Sequence, residues 1–138
     1  MGEIKNARFK FRVWDNEEKC YSTACFFLSV EGELYIFIGG VVHKANPEIY
    51  IVEKCTGLED ENGKLIFEGD KVRMTEFYFD GCGESERNFV GYVMWNKGEF
   101  VLSKNPEKPE YENETEIIPH ISWGHSFEIV GNIHEVEK

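Results

Sequence analysis

The sequence predicts a mainly β protein, with an N-terminal antiparallel β-meander followed by a small antiparallel barrel in the C-terminal half. Three observations predict it. Apolar side chains recur with a period of two in run after run, helical spacing is nearly absent, and turn dipeptides punctuate the runs where a meander needs them. The chain has 138 residues, 41% hydrophobic and 14% aromatic, and so it has the apolar surface to fold even though its formal charge is −11. Residues 1–53 read as the meander region and 54–138 as the barrel domain, with one compact unit as the alternative in a chain of this length.

The first alternating run is Arg8 to Trp14, stopped by the turn pair Asp15-Asn16. Cys25 to Val30 and Leu34 to Ile38 follow, separated by Glu31-Gly32, and Gly39-Gly40 turns the chain into Val41-Val42. Asn46-Pro47 breaks the pattern again, because proline has no N–H for a ladder and biases the preceding residue toward extended geometry. Ile49 to Glu53 alternates once more.

Thr56 to Val72 is nearly all turn chemistry. Asn62-Gly63 suits a type I′ hairpin turn, and Gly69-Asp70 makes a second tight turn whose carboxylate accepts local backbone N–H groups just before the strand Lys71 to Thr75. Phe79 to Asn88 mixes glycine with acids and reads as an exposed loop. Phe89 to Trp95 and Glu99 to Ser103 form a hairpin around Asn96-Lys97-Gly98, with glycine at the left-handed position. Asn105 to Glu116 is prolyl and acidic and reads as a solvated loop. The last run is Phe127 to His134, in which Gly131 marks a bulge or a close backbone approach. Strands near Lys71, Phe89, Glu99, Glu116 and Phe127 make five, the number in an SH3-like barrel.

Composition also bounds function. Fifteen basic against twenty-six acidic side chains disfavour broad binding to nucleic acid, and no apolar run is long enough for a membrane span. With no basic, apolar leader at Met1, the expected address is the cytoplasm. Cysteines 20, 25, 55 and 82 lack close C-x-x-C pairs and are expected to be free thiols. A metal site of Cys20, Cys25, His120 and His125 is the sharper alternative, but its spacing is loose, and neither metal nor cofactor is expected.

An enzyme would need a nucleophile beside a base, paired carboxylates or a metal cluster. His43, His120, His125 and His134 sit in no such motif, Ser122 between His120 and His125 lacks a nucleophile elbow, and no phosphate loop occurs. The expectation is a non-catalytic module acting through an unidentified protein partner or through homo-oligomerisation. Candidate contact residues are the large rings Trp14, Trp95 and Trp123, and the alternating cations Arg8, Lys10 and Arg12. The cationic strip is also what a nucleic-acid-binding alternative would use; a DNA-mimic role for the acidic surface is a further one.

Four blocks together resemble the YopX family. They are Phe11-Arg12-Val13-Trp14-Asp15; Cys55-Thr56-Gly57-Leu58 with Asp60-Glu61-Asn62-Gly63-Lys64; Phe67-Glu68-Gly69-Asp70-Lys71-Val72; and Phe127-Glu128-Ile129-Val130-Gly131-Asn132-Ile133-His134-Glu135. They stand in family order and frame almost the whole chain. Val13, Leu65 and His134 depart from the family pattern without disturbing a turn. The resemblance implies a bacteriophage or prophage origin, a mostly β, SH3-like barrel fold and no assigned activity.

Overall fold

Twelve strands and no α-helix make up the described part of the chain, which in this computed structural model is residues 9–96, 98–104, 114–117 and 125–135, with backbone alone at 96, 114–117 and 125. The chain divides into two units, Phe11–Glu53 and the segment from Lys54 onward joined by Phe9 and Lys10.

In the first unit, β1 (Phe11–Asp15) pairs antiparallel with β2 (Cys20–Tyr21). The turn between them is built by Asp15, whose Oδ1 accepts the N–H groups of Glu17 and Glu18, and Lys19 closes it in the left-handed region at φ 56°. Then β3 (Cys25–Leu28), β4 (Leu34–Ile38) and β5 (Val41–Lys44) form a three-stranded meander. Gly39 and Gly40 join β4 to β5 as a two-residue loop with φ 61° and 81°, the doubly positive backbone that a type I′ turn demands. Val13, Leu34, Ile36 and Ala45 are the core here, with Phe11, Phe26, Tyr50 and Val52 packed around them.

The strand β6 (Tyr50–Glu59) carries the chain from the first unit into the second, so the segment Thr56–Glu59, expected as turn, is extended. Thr56 Oγ1 donates to the Ile66 carbonyl and ties β6 to β7 (Leu65–Phe67), a strand within the stretch expected as turn. Between them lies the Asn62-Gly63 turn, but only Gly63 has positive φ, and its N–H donates to the Asp60 carbonyl. The turn is therefore not type I′: Asn62 keeps an ordinary backbone conformation and glycine alone takes the left-handed step.

Next come β8 (Asp70–Phe79), β9 (Glu84–Asn96), β10 (Glu99–Ser103), β11 (Glu114–Ile117) and β12 (His125–Asn132), an antiparallel sheet in the order β11-β10-β9-β8-β12 that curls into a half-barrel. Two expected loops are partly strand. Phe79 ends β8 and Glu84–Asn88 belong to β9, while Glu114–Glu116 belong to β11. A ladder satisfies backbone groups whatever the side chains, so acids and glycines on its exposed stretches hide it from a propensity reading. The bulge expected at Gly131 is present as a register shift between Ile129 and Gly131. Ile66, Val72, Met74, Val93, Leu102 and Phe127 fill the concave side.

Two buried carboxylates hold the loops of this unit. Asp70 Oδ2 accepts the Phe67 N–H at 2.8 Å and fixes the tight turn at Gly69, whose φ is 84°. Asp60, 6% exposed, accepts from Asn62 and Lys64 at Oδ1 and from Ile129 at Oδ2, joining the β6–β7 turn to β12. Burial pushes its carboxyl up, but the N–H groups of Lys64, Ile129 and Asn62 outweigh this and hold it below the usual aspartate value.

Candidate protein-contact face

The alternating run at the start of the chain places its residues on two sides of β1. Phe11 and Val13 enter the core of the first unit, while Arg12 and Trp14 lie on the opposite face with Tyr21. Arg12 Nε donates to Glu53 Oε1 at 2.8 Å, its guanidinium carbon lies 4.3 Å from the Tyr21 ring centroid, and Tyr21 Oη donates to the same Glu53 oxygen at 2.9 Å. Trp14 meets Tyr21 edge-on at 5.1 Å and is buried. Arg12 and Trp14 thus serve a polar–aromatic cluster inside their own unit. Lys10 is exposed, and Arg8 lies outside the described residues.

In the second unit Trp95 is 48% exposed, edge-on to Phe100 at 4.8 Å, with Lys54 Nζ 5.7 Å from its ring centroid. Trp123 and His120 lie outside the described residues, and of His125 only the backbone, at the start of β12, is described. Cys20, Cys25 and Cys82 are exposed thiols and Cys55 is a buried one. Among the described residues no group of three or more His, Cys, Asp or Glu is arranged to hold a metal ion.

The sheet β3–β5 has a face that the sequence reading did not single out. Pairing Phe27 with Tyr35, Cys25 with Phe37 and Phe37 with Val42 sends these side chains, with Lys44 opposite Tyr35, to one side. The other side carries Phe26, Leu34 and Ile36 into the core. On the outer side Phe27, Phe37 and Val42 are between 46% and 54% exposed, so three large apolar groups share one open surface. Its rim is polar: Lys44 Nζ lies 3.6 Å from Glu33, and the Tyr35 hydroxyl donates to Glu33, a bond that raises the phenol above its ordinary pKa. A signal existed in the sequence, since Phe26-Phe27-Leu28 and Leu34 to Ile38 are continuously apolar, and a strand with one wet face would alternate.

A recess of about 390 Å³ lies beside this sheet, lined by Leu34, Ala45, Pro47, Tyr50 and Val52 among others. Its charged lining residues are Glu33 and Lys44, already facing each other.

No curated protein matches this chain. Among solved structures it is similar to protein yopX from Bacillus subtilis, with a TM-score of 0.53 and 17% identity over 92% of this chain and 94% of that one. It is also similar to protein EF1440 from Enterococcus faecalis, with a TM-score of 0.47 and 19% identity over 91% and 92%. At such identity the first likeness speaks for a common fold. The profile of the family described as YopX protein matches residues 10–137, and with the four sequence blocks and the all-β architecture in place, the chain belongs to the YopX family.

Proposed function

We propose that the protein is a non-catalytic accessory module that works by self-association through the outer face of the β3–β5 sheet. The observation that carries this reading is the common, exposed side occupied by Phe27, Phe37 and Val42. Burying half-exposed side chains of this size contributes roughly 25 cal/mol per Å² of apolar surface removed from water. A second copy supplies the same patch, which a two-fold contact requires. The net charge of −11 opposes association at long range, but salt screens it within about 10 Å, and the side chains facing out of this sheet include no carboxylate. Glu33 stands at the rim, where a charge costs an interface little.

Sedimentation over a wide concentration range tests the reading. The expected result is a concentration-dependent dimer, strengthened by added salt and abolished by Phe37→Glu and by Val42→Glu with the circular dichroism unchanged. A chain that stays monomeric throughout, or a dimer indifferent to both substitutions, refutes it.

A further inference from the structure

Strands β8 and β9 run past the rest of their sheet. β12 accompanies β8 only as far as Glu76, opposite His125, and β10 accompanies β9 only from Tyr92 to Asn96. Among the described residues, Phe77–Phe79 and Glu84–Glu86 therefore pair only with each other, as a two-stranded arm. An isolated two-stranded ribbon is marginal in water, yet the tip of this one is tied down. Asp80 Oδ1 accepts the Cys82 N–H, Asp80 Oδ2 accepts the Ser85 hydroxyl, and the Asp80 N–H reaches the Gly83 carbonyl. The Ser85 hydrogen bond, followed by that from Cys82, holds the Asp80 carboxyl below its ordinary pKa and so keeps the acceptor ionised.

Among the described residues, the two faces of the arm are built on one plan with one part missing. On the face that continues from the core residue Met74, Glu76 Oε2 accepts from Arg87 Nε at 2.6 Å, and the Arg87 guanidinium carbon lies 5.6 Å from the Tyr78 ring centroid. Carboxylate, cation and ring are all present. On the opposite face Phe77 pairs with Glu86 and Phe79 with Glu84, which supplies carboxylates and rings. The cation nearest along that face is Arg73, already held by Glu128. An aromatic ring opposite a carboxylate is a poor cross-strand pair for the arm's own stability, since rings pair best with rings or branched aliphatics. Phe77 and Phe79 nevertheless stay 50% and 74% exposed, and with Tyr78 and Glu84 they line an open recess of about 380 Å³.

We infer that the outer face of the β8–β9 arm is a docking site for a partner-protein segment rich in basic and apolar residues. Its Lys or Arg side chains take the place on the outer face that Arg87 takes on the inner one, between Glu84 or Glu86 and the phenylalanine rings. Its apolar residues cover Phe77 and Phe79. A second copy of this chain is a poor occupant, because stacking two such faces sets Glu84 and Glu86 against their own counterparts. The site is separate from the β3–β5 face and goes beyond the self-association reading.

Fluorescence anisotropy with a labelled peptide of alternating lysine and valine, added to the full chain, tests the inference. Binding is expected, weakened at least about tenfold by Phe79→Ser and by the double substitution Glu84→Lys, Glu86→Lys, and absent for a peptide of alternating glutamate and valine. The double substitution Glu17→Lys, Glu18→Lys changes the net charge equally on an exposed turn and is expected to leave binding intact, as is Phe37→Glu. Equal losses from the two charge-changing pairs, binding unaffected by Phe79→Ser, or no binding at all overturns the inference. Arm substitutions that shift the oligomeric state in place of peptide affinity would assign the arm to a second copy and overturn it too. All substituted side chains lie outside the cores, and thermal unfolding verifies that each variant is folded.

Discussion

Removing the Asp60 carboxylate tests whether the second unit is held by a buried polar staple. Asp60→Ala deletes an acceptor that takes N–H groups from Asn62, Lys64 and Ile129 at 2.9, 2.9 and 3.1 Å. A hydrogen bond to a charged group is worth about 1.5–3 kcal/mol, but the Asn62 and Lys64 N–H groups lie on an exposed turn and regain water. The net cost works out near 3 kcal/mol, which lowers the thermal midpoint by roughly 10 °C. Asp60→Asn keeps one acceptor oxygen for the turn and turns a donor toward the Ile129 N–H, so its loss is intermediate. Because the folded-state carboxyl sits below its unfolded value, its contribution is complete above the unfolded pKa and disappears as pH falls through the lowered one. Wild type and Asp60→Asn should therefore differ most near neutrality and converge below about pH 4. Urea denaturation across this range measures the gap. A variant within about 0.5 kcal/mol of wild type at neutral pH, or a gap that widens in acid, refutes the staple.

Two further outcomes are expected. Gly69→Ala puts a side chain at φ 84° in a turn whose N–H donates to Val93 and whose carbonyl accepts from Ile133, so it should cost at least about 1 kcal/mol by chemical denaturation. In the first unit, Arg12→Ala leaves the buried Glu53 without its guanidinium and should destabilise by about 3 kcal/mol, whereas Arg12→Met with Glu53→Leu should recover most of that loss in a double-mutant cycle.

What was legible in the sequence was local. The Asp15 turn, the Gly39-Gly40 loop, the glycine at 98 with its φ of 86° and the Asp70 carboxylate beneath Gly69 each act within a few residues, so the residue type names the conformation. What stayed hidden was set at a distance. Asp60 reaches Ile129 across 69 residues and Arg73 reaches Glu128 across 55, separations at which no spacing rule operates. The arm was hidden for another reason: Gly81, Gly83 and three acids, Asp80, Glu84 and Glu86, read as loop, although main-chain pairing needs none of the usual strand formers. As for the candidate face, rings were the obvious feature, yet Trp14 is buried, and the open surface belongs to Phe27, Phe37 and Val42, whose exposure follows from the register of β3 to β5.

The position of β12 beside β8 bears on how the molecule is made. Phe127 pairs with Met74 and Ile129 with Val72, so one flank of β8 waits for a strand translated some fifty residues later. Until then the nascent chain presents an uncovered ladder edge and the apolar floor that Phe127 will seal. Hairpins such as β8–β9 and β9–β10 close early, and the ribosome-bound intermediate is a sheet lacking its last flank. Crowded synthesis is the circumstance in which this protein is most exposed to wrong pairing, and conditions that slow translation between β8 and β12 prolong that interval.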